Sequence, residues 1–512
     1  MKVRLSLACL ALAVTLGVSA QQINPITKAM LDGYDQILKE NPQDYQTLYE
    51  RAAQLYRLSM YDRAMNDIVK AVEYTPEKEK MYKIQELSLL SDIAVETKNY
   101  DMALRSIDEA LELDPDNYSN IYKKGNVCLQ LNKPEEAYRA FSSMQRLKTR
   151  SQEAYFGMAQ ACIMMDKQSE ASDLLKEAEN ADPSSYITYC RVGDLYKEMG
   201  QIENAASNYL IGISLSSDNP RPLNSLVELG KSDYPAVATA LNYAIDRSTN
   251  RAPLLYLKGS IAQAAGYYND AVDAFTELSK MPQGSDAGVL TGLAQGEFDL
   301  NNLDAALSYI DKAIATGASL VSYILKTKIL LGLKQTAQAV SESSKAVGLA
   351  PENTEALMTR AYALAADKKG KEANDILTEI IIISPDNVKA LLLRAYINSE
   401  LLNNGKGAVI DFNRIIAESP ETFEGKVCKG IALAKVGKKI DGDSLIEEAL
   451  RESPTKDDLY YAAIYYAQTD NLTKGLELIN KAIYEGYGNK FNLERNETPL
   501  LNIAPLRRLM KP

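Results

Sequence analysis

Histidine and tryptophan are absent from this chain, and phenylalanine is scarce at seven residues. Without histidine there is no Ser-His-Asp or Cys-His pair, no HExxH zinc helix and no imidazole ligand for a metal. Basic charge is also short: 57 Lys and Arg face 68 Asp and Glu, a net of −11. Nucleic acid, which is bound by a basic stripe that displaces counterions, is therefore not an expected partner. Nor is an anionic membrane surface. The five cysteines include no CxxC, which leaves a zinc site or a thioredoxin-like motif unsupported. Cys128, Cys162, Cys190 and Cys428 read as small apolar core residues. Two disulfides are the alternative in an oxidising compartment. No cofactor is expected.

Phosphate-binding glycine loops are missing too. Gly230-Lys231-Ser232 has the end of one, but the position five residues earlier is Ser225 where such a loop needs glycine. Gly486-Tyr487-Gly488 lacks a third glycine and a preceding strand. Acidic pairs such as Glu135-Glu136 and Glu447-Glu448 read as solvated helix-surface charge. The N-terminus reads as a secretory leader. Lys2 and Arg4 precede an apolar run from Leu5 to Leu16, and Val18-Ser19-Ala20 fits cleavage before Gln21. Cys9 lies too early for a lipoprotein signal. No later stretch has the ~20 apolar residues of a membrane helix, so an exported, periplasmic protein without an integral membrane segment is expected, with a secreted or outer-membrane-associated one as the alternative.

What is present is a period. Pro42 and Pro76 are 34 residues apart, as are Pro351 and Pro385; Pro115 and Pro183 are separated by twice that. They sit in short motifs such as Leu113-Asp114-Pro115-Asp116-Asn117 and Ser384-Pro385-Asp386-Asn387, where proline ends one helix and Asp or Asn caps the next. Alanines seven apart, such as Ala103 and Ala110 or Ala171 and Ala178, share a helix face. A small residue recurs once per first helix: Ala52, Gly125, Ala159, Gly193, Gly259, Ala361, Ala395 and Gly430. Glycine inside a helix costs up to ~1 kcal/mol relative to alanine, so its recurrence implies close backbone contact.

These residues, most clearly Asn99-Tyr100-Asp101-Met102-Ala103 through Ala110-Leu111-Glu112-Leu113-Asp114-Pro115, resemble the tetratricopeptide-repeat (TPR) family. The resemblance covers about thirteen units, from 45–76 to 456–487. It implies an all-α solenoid, a right-handed superhelix of paired antiparallel helices of about 12–14 residues. The organisation expected is a signal peptide at 1–20, a capping helix at 21–44, an N-terminal arm at 45–217 and a C-terminal arm at 252–487. Between the arms, 218–251 is a degenerate repeat broken by Pro220, Pro222 and Pro235, either a kink or a normally stacked unit. The capping helix should lay Ile26, Met30, Ile37 and Leu38 on the first unit. A charged insertion, Glu77-Lys78-Glu79-Lys80, precedes the second. Residues 488–512 should close the array, or else serve as a partner-binding tail.

The resemblance implies protein binding in a groove lined by the first helices, where residues 34 apart form ladders. Tyr122, Phe156 and Cys190 make an aromatic ladder, and Asn126, Gln160 and Asp194 a polar one beside it. Such rows suit an extended peptide; alternatively the rings fill seams between helices. Tyr362 and Tyr396 form a second ladder flanked by Met358 and Leu392. Arg51, Lys124, Lys258, Arg360, Arg394 and Lys429 make either a basic row for acidic peptides or stems that cover a seam with their charge in water. The family's clamp for chaperone C-terminal carboxylates uses Lys and Asn; the matching positions hold Tyr122 and Asn126, so chaperone tails are not expected. The expected function is a non-enzymatic interaction scaffold or adaptor of the cell envelope. An enzyme with an active site in the groove and a self-associating structural protein are the alternatives.

Overall fold

In the computed structural model the described residues are 24–484, apart from 149, 282–285, 403, 419–421, 436 and 453. The leader and 488–512 thus lie outside the described residues, as do the side chains of Tyr396 and Cys428. All regular structure among the described residues is helical: Pro25–Glu40, followed by thirteen consecutive helix pairs from Tyr45–Arg57 to Leu472–Tyr484. The chain is an all-α solenoid, in which most helices pack on their neighbours in sequence within each unit. First helices are thirteen residues long, except Lys80–Glu96 at seventeen, and second helices run from eleven to fifteen. Two compact units divide between Leu226 and Val227.

The proline motif works as read. Helix Tyr100–Leu113 ends with the N–H of Asp114 donating to the Ala110 carbonyl; the Asn117 side chain then accepts from the Asn120 N–H at 3.1 Å and starts the next helix. Asn387 caps Val388–Glu400 in the same way, accepting from the Ala390 N–H at 3.0 Å.

Four local expectations change. Lys80–Glu96 absorbs the end of the charged insertion and starts one turn earlier than the repeat pattern, and Lys83 in its first turn donates to the Val72 carbonyl. Pro220 opens helix Pro220–Ser232 and Pro235 lies in the first turn of Tyr234–Arg247. There proline sacrifices no helical hydrogen bond, so these residues do not break the repeat. Pro25–Glu40 buries Leu31 and Leu38 with Tyr34 against the first pair, whereas Ile26, Met30 and Ile37 are exposed. The buried stripe is i, i+3, i+7, one of two apolar stripes that this helix offers.

The fourth concerns the small residues. At Gly125, Gly193 and Gly259 the recurrent glycine meets an aromatic ring, whereas Gly430 makes the close backbone contact expected, its carbonyl oxygen 2.8 Å from the Cβ position of Gly442. A Cβ on Gly125 would stand 2.5 Å from the Phe141 ring, one on Gly193 2.6 Å from Tyr209, and one on Gly259 2.8 Å from Phe275. Each ring lies sixteen residues on, in the second helix of the same pair. Where the small residue is alanine, the same offset usually holds an aliphatic: Ala52 with Ile68 and Ala361 with Leu377, each couple fully buried in one core. Cys128, Cys162 and Cys190 are free, buried thiols as expected, and burial pushes the Cys128 thiol up to about 11.

Five of the six residues of the basic row are held by groups on neighbouring helices. Arg51 is held between Asp35 at 2.6 Å and Asp67 at 2.7 Å, sixteen residues before and after it. Lys124 pairs with Asp108 at 2.7 Å, Lys258 donates to Asn242 Oδ1 at 2.8 Å and Arg360 donates to Ser344. Arg394 holds Asp411 with two bonds, at 2.6 and 3.0 Å, and donates to Thr378. Lys429 is exposed. The others bridge a first helix to the second helices beside it.

Two stability predictions follow from these seams. Helix propensity alone makes Gly125→Ala stabilising by up to ~1 kcal/mol. Packing predicts the reverse: Phe141 is also walled by Gly157, whose Cβ would lie 2.5 Å from the ring. Gly125→Ala should therefore cost about 1–3 kcal/mol, with Phe141→Leu restoring part of it in denaturant melts. Asp411 is 1% exposed, so Arg394→Met should cost about 3–5 kcal/mol by stranding its charge. Arg394→Met with Asp411→Leu should regain most of that loss.

Candidate functional site

The 34-residue period sets identical positions of successive first helices side by side. In the first unit it brings five of the sequence-selected residues to one cavity of about 290 Å³. Tyr122 and Asn126 come from Tyr118–Gln130, Phe156 and Gln160 from Gln152–Met164, and Asp194 from Tyr186–Glu198. The third rung of the aromatic ladder does not join them. Cys190 is fully buried, and Arg191, one residue on, lines the cavity instead.

The two rings differ. Tyr122 is 37% exposed and meets Phe141 edge-on, centroids 6.2 Å apart. Phe156 is only 3% exposed, because the Arg191 guanidinium lies over its ring at 3.8 Å. Sequence reasoning missed Arg191. Its equivalent one repeat earlier is Gly157, so the period carried no signal for it.

The polar ladder is partly occupied by the protein itself. Asp194 accepts from the Tyr209 hydroxyl at 2.8 Å and from Arg221 at 3.0 Å. Gln160 donates to Glu198 at 2.9 Å. Asn126 has no hydrogen-bond partner among the described residues and is half-buried, so its amide is available. Arg191 has one carboxylate nearby, Glu153 at 4.0 Å. Burial lowers its pKa, partly offset by Glu153, yet it remains charged near neutrality. The cavity thus offers an accessible ring edge, a free amide and a cation on an aromatic shelf. These groups can hold side chains and backbone of an extended segment.

The second ladder is not brought together in this way. Tyr362 is half-buried and packs on the core beside it, Met358 is partly buried and Leu392 is in the core; the side chain of Tyr396 lies outside the described residues. No helix among the described residues is long and apolar enough to cross a membrane.

Sequence models of two kinds of family match the chain. Residues 96–178 match anaphase-promoting complex, cyclosome, subunit 3; residues 186–219 and 249–320 match tetratricopeptide repeats. A TPR repeat-containing protein of Methanocaldococcus jannaschii is 22% identical over 343 residues, 63% of this chain and 53% of that relative. A BBSome complex member homolog of Drosophila melanogaster is 22% identical over 298 residues, 56% of this chain and 57% of that relative. The chain therefore spans little more than half the length of the curated relatives it matches. Among solved structures, the C-terminal part of a TPR repeat-containing protein from Cytophaga hutchinsonii covers 49% of this chain and 94% of its own, at 14% identity and a TM-score of 0.38. YrrB, described as a TPR protein with an unusual peptide-binding site, covers 38% and 98%, at 19% identity and a TM-score of 0.31.

The unequal exposure of the two rings separates their effects. Phe156→Ala should cost about 3–5 kcal/mol of stability through the cavity it leaves, seen as a lowered melting temperature. Tyr122→Ala should change stability by less than about 1 kcal/mol. Equal losses in a thermal melt would show that Tyr122 is also a packing residue.

Proposed function

The chain belongs to the tetratricopeptide-repeat superfamily, whose repeats mediate protein–protein interactions, and on that premise we propose that it is a non-catalytic scaffold of the cell envelope. It holds an extended segment of a partner protein in the cavity between Tyr118–Gln130, Gln152–Met164 and Tyr186–Glu198. The observation that carries this reading is convergence. Five side chains on three helices, selected by the groove positions that the family resemblance implies, line one concavity, and Tyr122 and Asn126 are left open there. Tyr122 is the anchor: aromatic side chains with accessible edges carry much of the energy at such interfaces. Asn126 reads the partner's backbone, and Arg191 with Phe156 forms a flat wall for it. Export by the leader that ends at Ala20 puts this surface among periplasmic proteins.

The test has two parts. Random dodecapeptides displayed on phage are selected on the full chain, and synthetic versions are measured by fluorescence anisotropy. Peptides of the cavity should bind the Tyr122→Ala variant about 2 kcal/mol more weakly and the Asn126→Ala variant about 1 kcal/mol more weakly. Selection of no peptide sensitive to either substitution refutes the groove. Separately, N-terminal sequencing of the protein from an expressing bacterium should begin at Gln21; an intact Met1 refutes export.

A further inference from the structure

The seam between the first two helix pairs holds a buried acid with no cation on it. Glu86, in Lys80–Glu96, is fully buried. The same place in the neighbouring first helices is taken by Thr47, Asn120, Ala154 and Thr188, so the repeat itself does not call for a carboxyl there. Lys83, one turn earlier, donates to the Val72 carbonyl instead. Glu86 Oε2 is shielded from solvent and has no hydrogen-bond partner. From Tyr45–Arg57 the titratable groups that face Glu86 are the phenols of Tyr45 and Tyr49, which carry no charge near neutrality. Neither Tyr61–Tyr74 nor Tyr100–Leu113, packed on either side of this helix, brings a charge to bear on it.

Three oxygens fix where a proton must lie. Thr75 Oγ1 is 2.7 Å from Glu86 Oε1 and 2.8 Å from the Ala71 carbonyl oxygen. Both are the length of an O–H···O hydrogen bond, and each needs its own proton. The Thr75 hydroxyl has one. The Ala71 carbonyl can only accept, and it already accepts from the Thr75 N–H at 3.0 Å. Were Glu86 a carboxylate, one of the two contacts would set lone pairs against lone pairs. With the second proton on Glu86 Oε1 the chain closes: Glu86 donates to Thr75, and Thr75 donates to Ala71. Burial raises the pKa of the Glu86 carboxyl, against the opposite pull of the Thr75 contact and of Lys83.

We propose that Glu86 is a proton-held latch between the first two helix pairs: its carboxyl keeps its proton where surface carboxylates have lost theirs, and loss of that proton to water loosens the seam. The latch ties the last turn of Tyr61–Tyr74, through Ala71 and the C-cap Thr75, to Lys80–Glu96. Ionisation takes away the proton of the Glu86–Thr75 bond and leaves a buried charge without a partner. The folded chain holds this proton to a higher pH than the unfolded chain does. The seam is therefore firmest in acid, and weakens as pH rises from the ordinary glutamate range through the raised folded value. The latch does not depend on the peptide cavity.

Denaturant melts of the full chain and of its Glu86→Gln variant, from mildly acid to mildly alkaline pH, test this. Glutamine is neutral at every pH, and its Nε2 can donate to Thr75 in place of the acid. Taking the ratio of the two folding constants cancels the other titrating groups. The ratio should move toward glutamine as pH rises, by up to about tenfold per pH unit within the window, and stop changing above it. A ratio constant with pH, or one that turns against glutamine as pH rises, overturns the latch. Hydrogen exchange reads the seam itself: corrected for the intrinsic rate, amides of 83–90 should open more often at alkaline pH in the parent and not in the variant. Equal opening in both also overturns it. Infrared difference spectroscopy near neutral pH covers the case of a poorly folding variant. A carboxylic-acid C=O band in the parent that Glu86→Gln removes places the proton, and a parent without that band refutes it.

Discussion

The stack depends on one steric bargain made inside most helix pairs: a small residue at the eighth position of the first helix faces a large one sixteen residues later. Protein interiors are filled to crystal-like density, so the two sizes must change together. Gly125, Gly193 and Gly259 face Phe141, Tyr209 and Phe275, while Ala52 and Ala361 accompany Ile68 and Leu377. Holding the summed volume constant keeps the helices of a pair at a fixed separation whatever the residues. A regular array can then carry irregular surfaces, because each repeat touches only its neighbours. The same ring also serves function: Phe141 supports Tyr122 from below, so the wall of the cavity is an extension of the core.

A polar seam adds a rotational constraint to this steric one. A bidentate arginine–carboxylate fork closes only when the two groups are coplanar, and Arg51–Asp67 and Arg394–Asp411 both close it. Net stabilisation from such pairs is small, since desolvation offsets attraction. Their effect is to penalise any other rotation of the first helix about its axis. In Tyr118–Gln130, where Lys124 pairs with Asp108 at 2.7 Å in place of a fork, the fifth and ninth positions, Tyr122 and Asn126, line the cavity.

How much of this the sequence reveals depends on whether a feature repeats. Helix number, the proline-ended joints and the fold class follow from a 34-residue period visible in single residue types. The helix-pair turns did not stand out, although they repeat equally strictly. Lys98, Asn132 and Asp166 occupy the left-handed region at 34-residue intervals, where Gly200 follows. Three of those four positions carry an ordinary side chain, so no glycine marks the period. The glycine–ring contacts were hidden because the partner lies on another helix. The outer stripe of Pro25–Glu40 misled because hydrophobicity does not say which of two faces finds a neighbour.

The candidate sites were half legible for the same reason. Positions that line a groove do repeat, which is why five of them could be selected and met in one cavity. What fills those positions does not. Arg191 lies flat on the Phe156 ring, where its equivalent one repeat earlier is Gly157. Counting charges misleads here as well. Arg51, Lys124 and Arg394 pair with carboxylates of adjacent helices, so a partner meets few of the cations that the composition suggests. In the cavity it meets Arg191, held flat on a ring and 4.0 Å from Glu153.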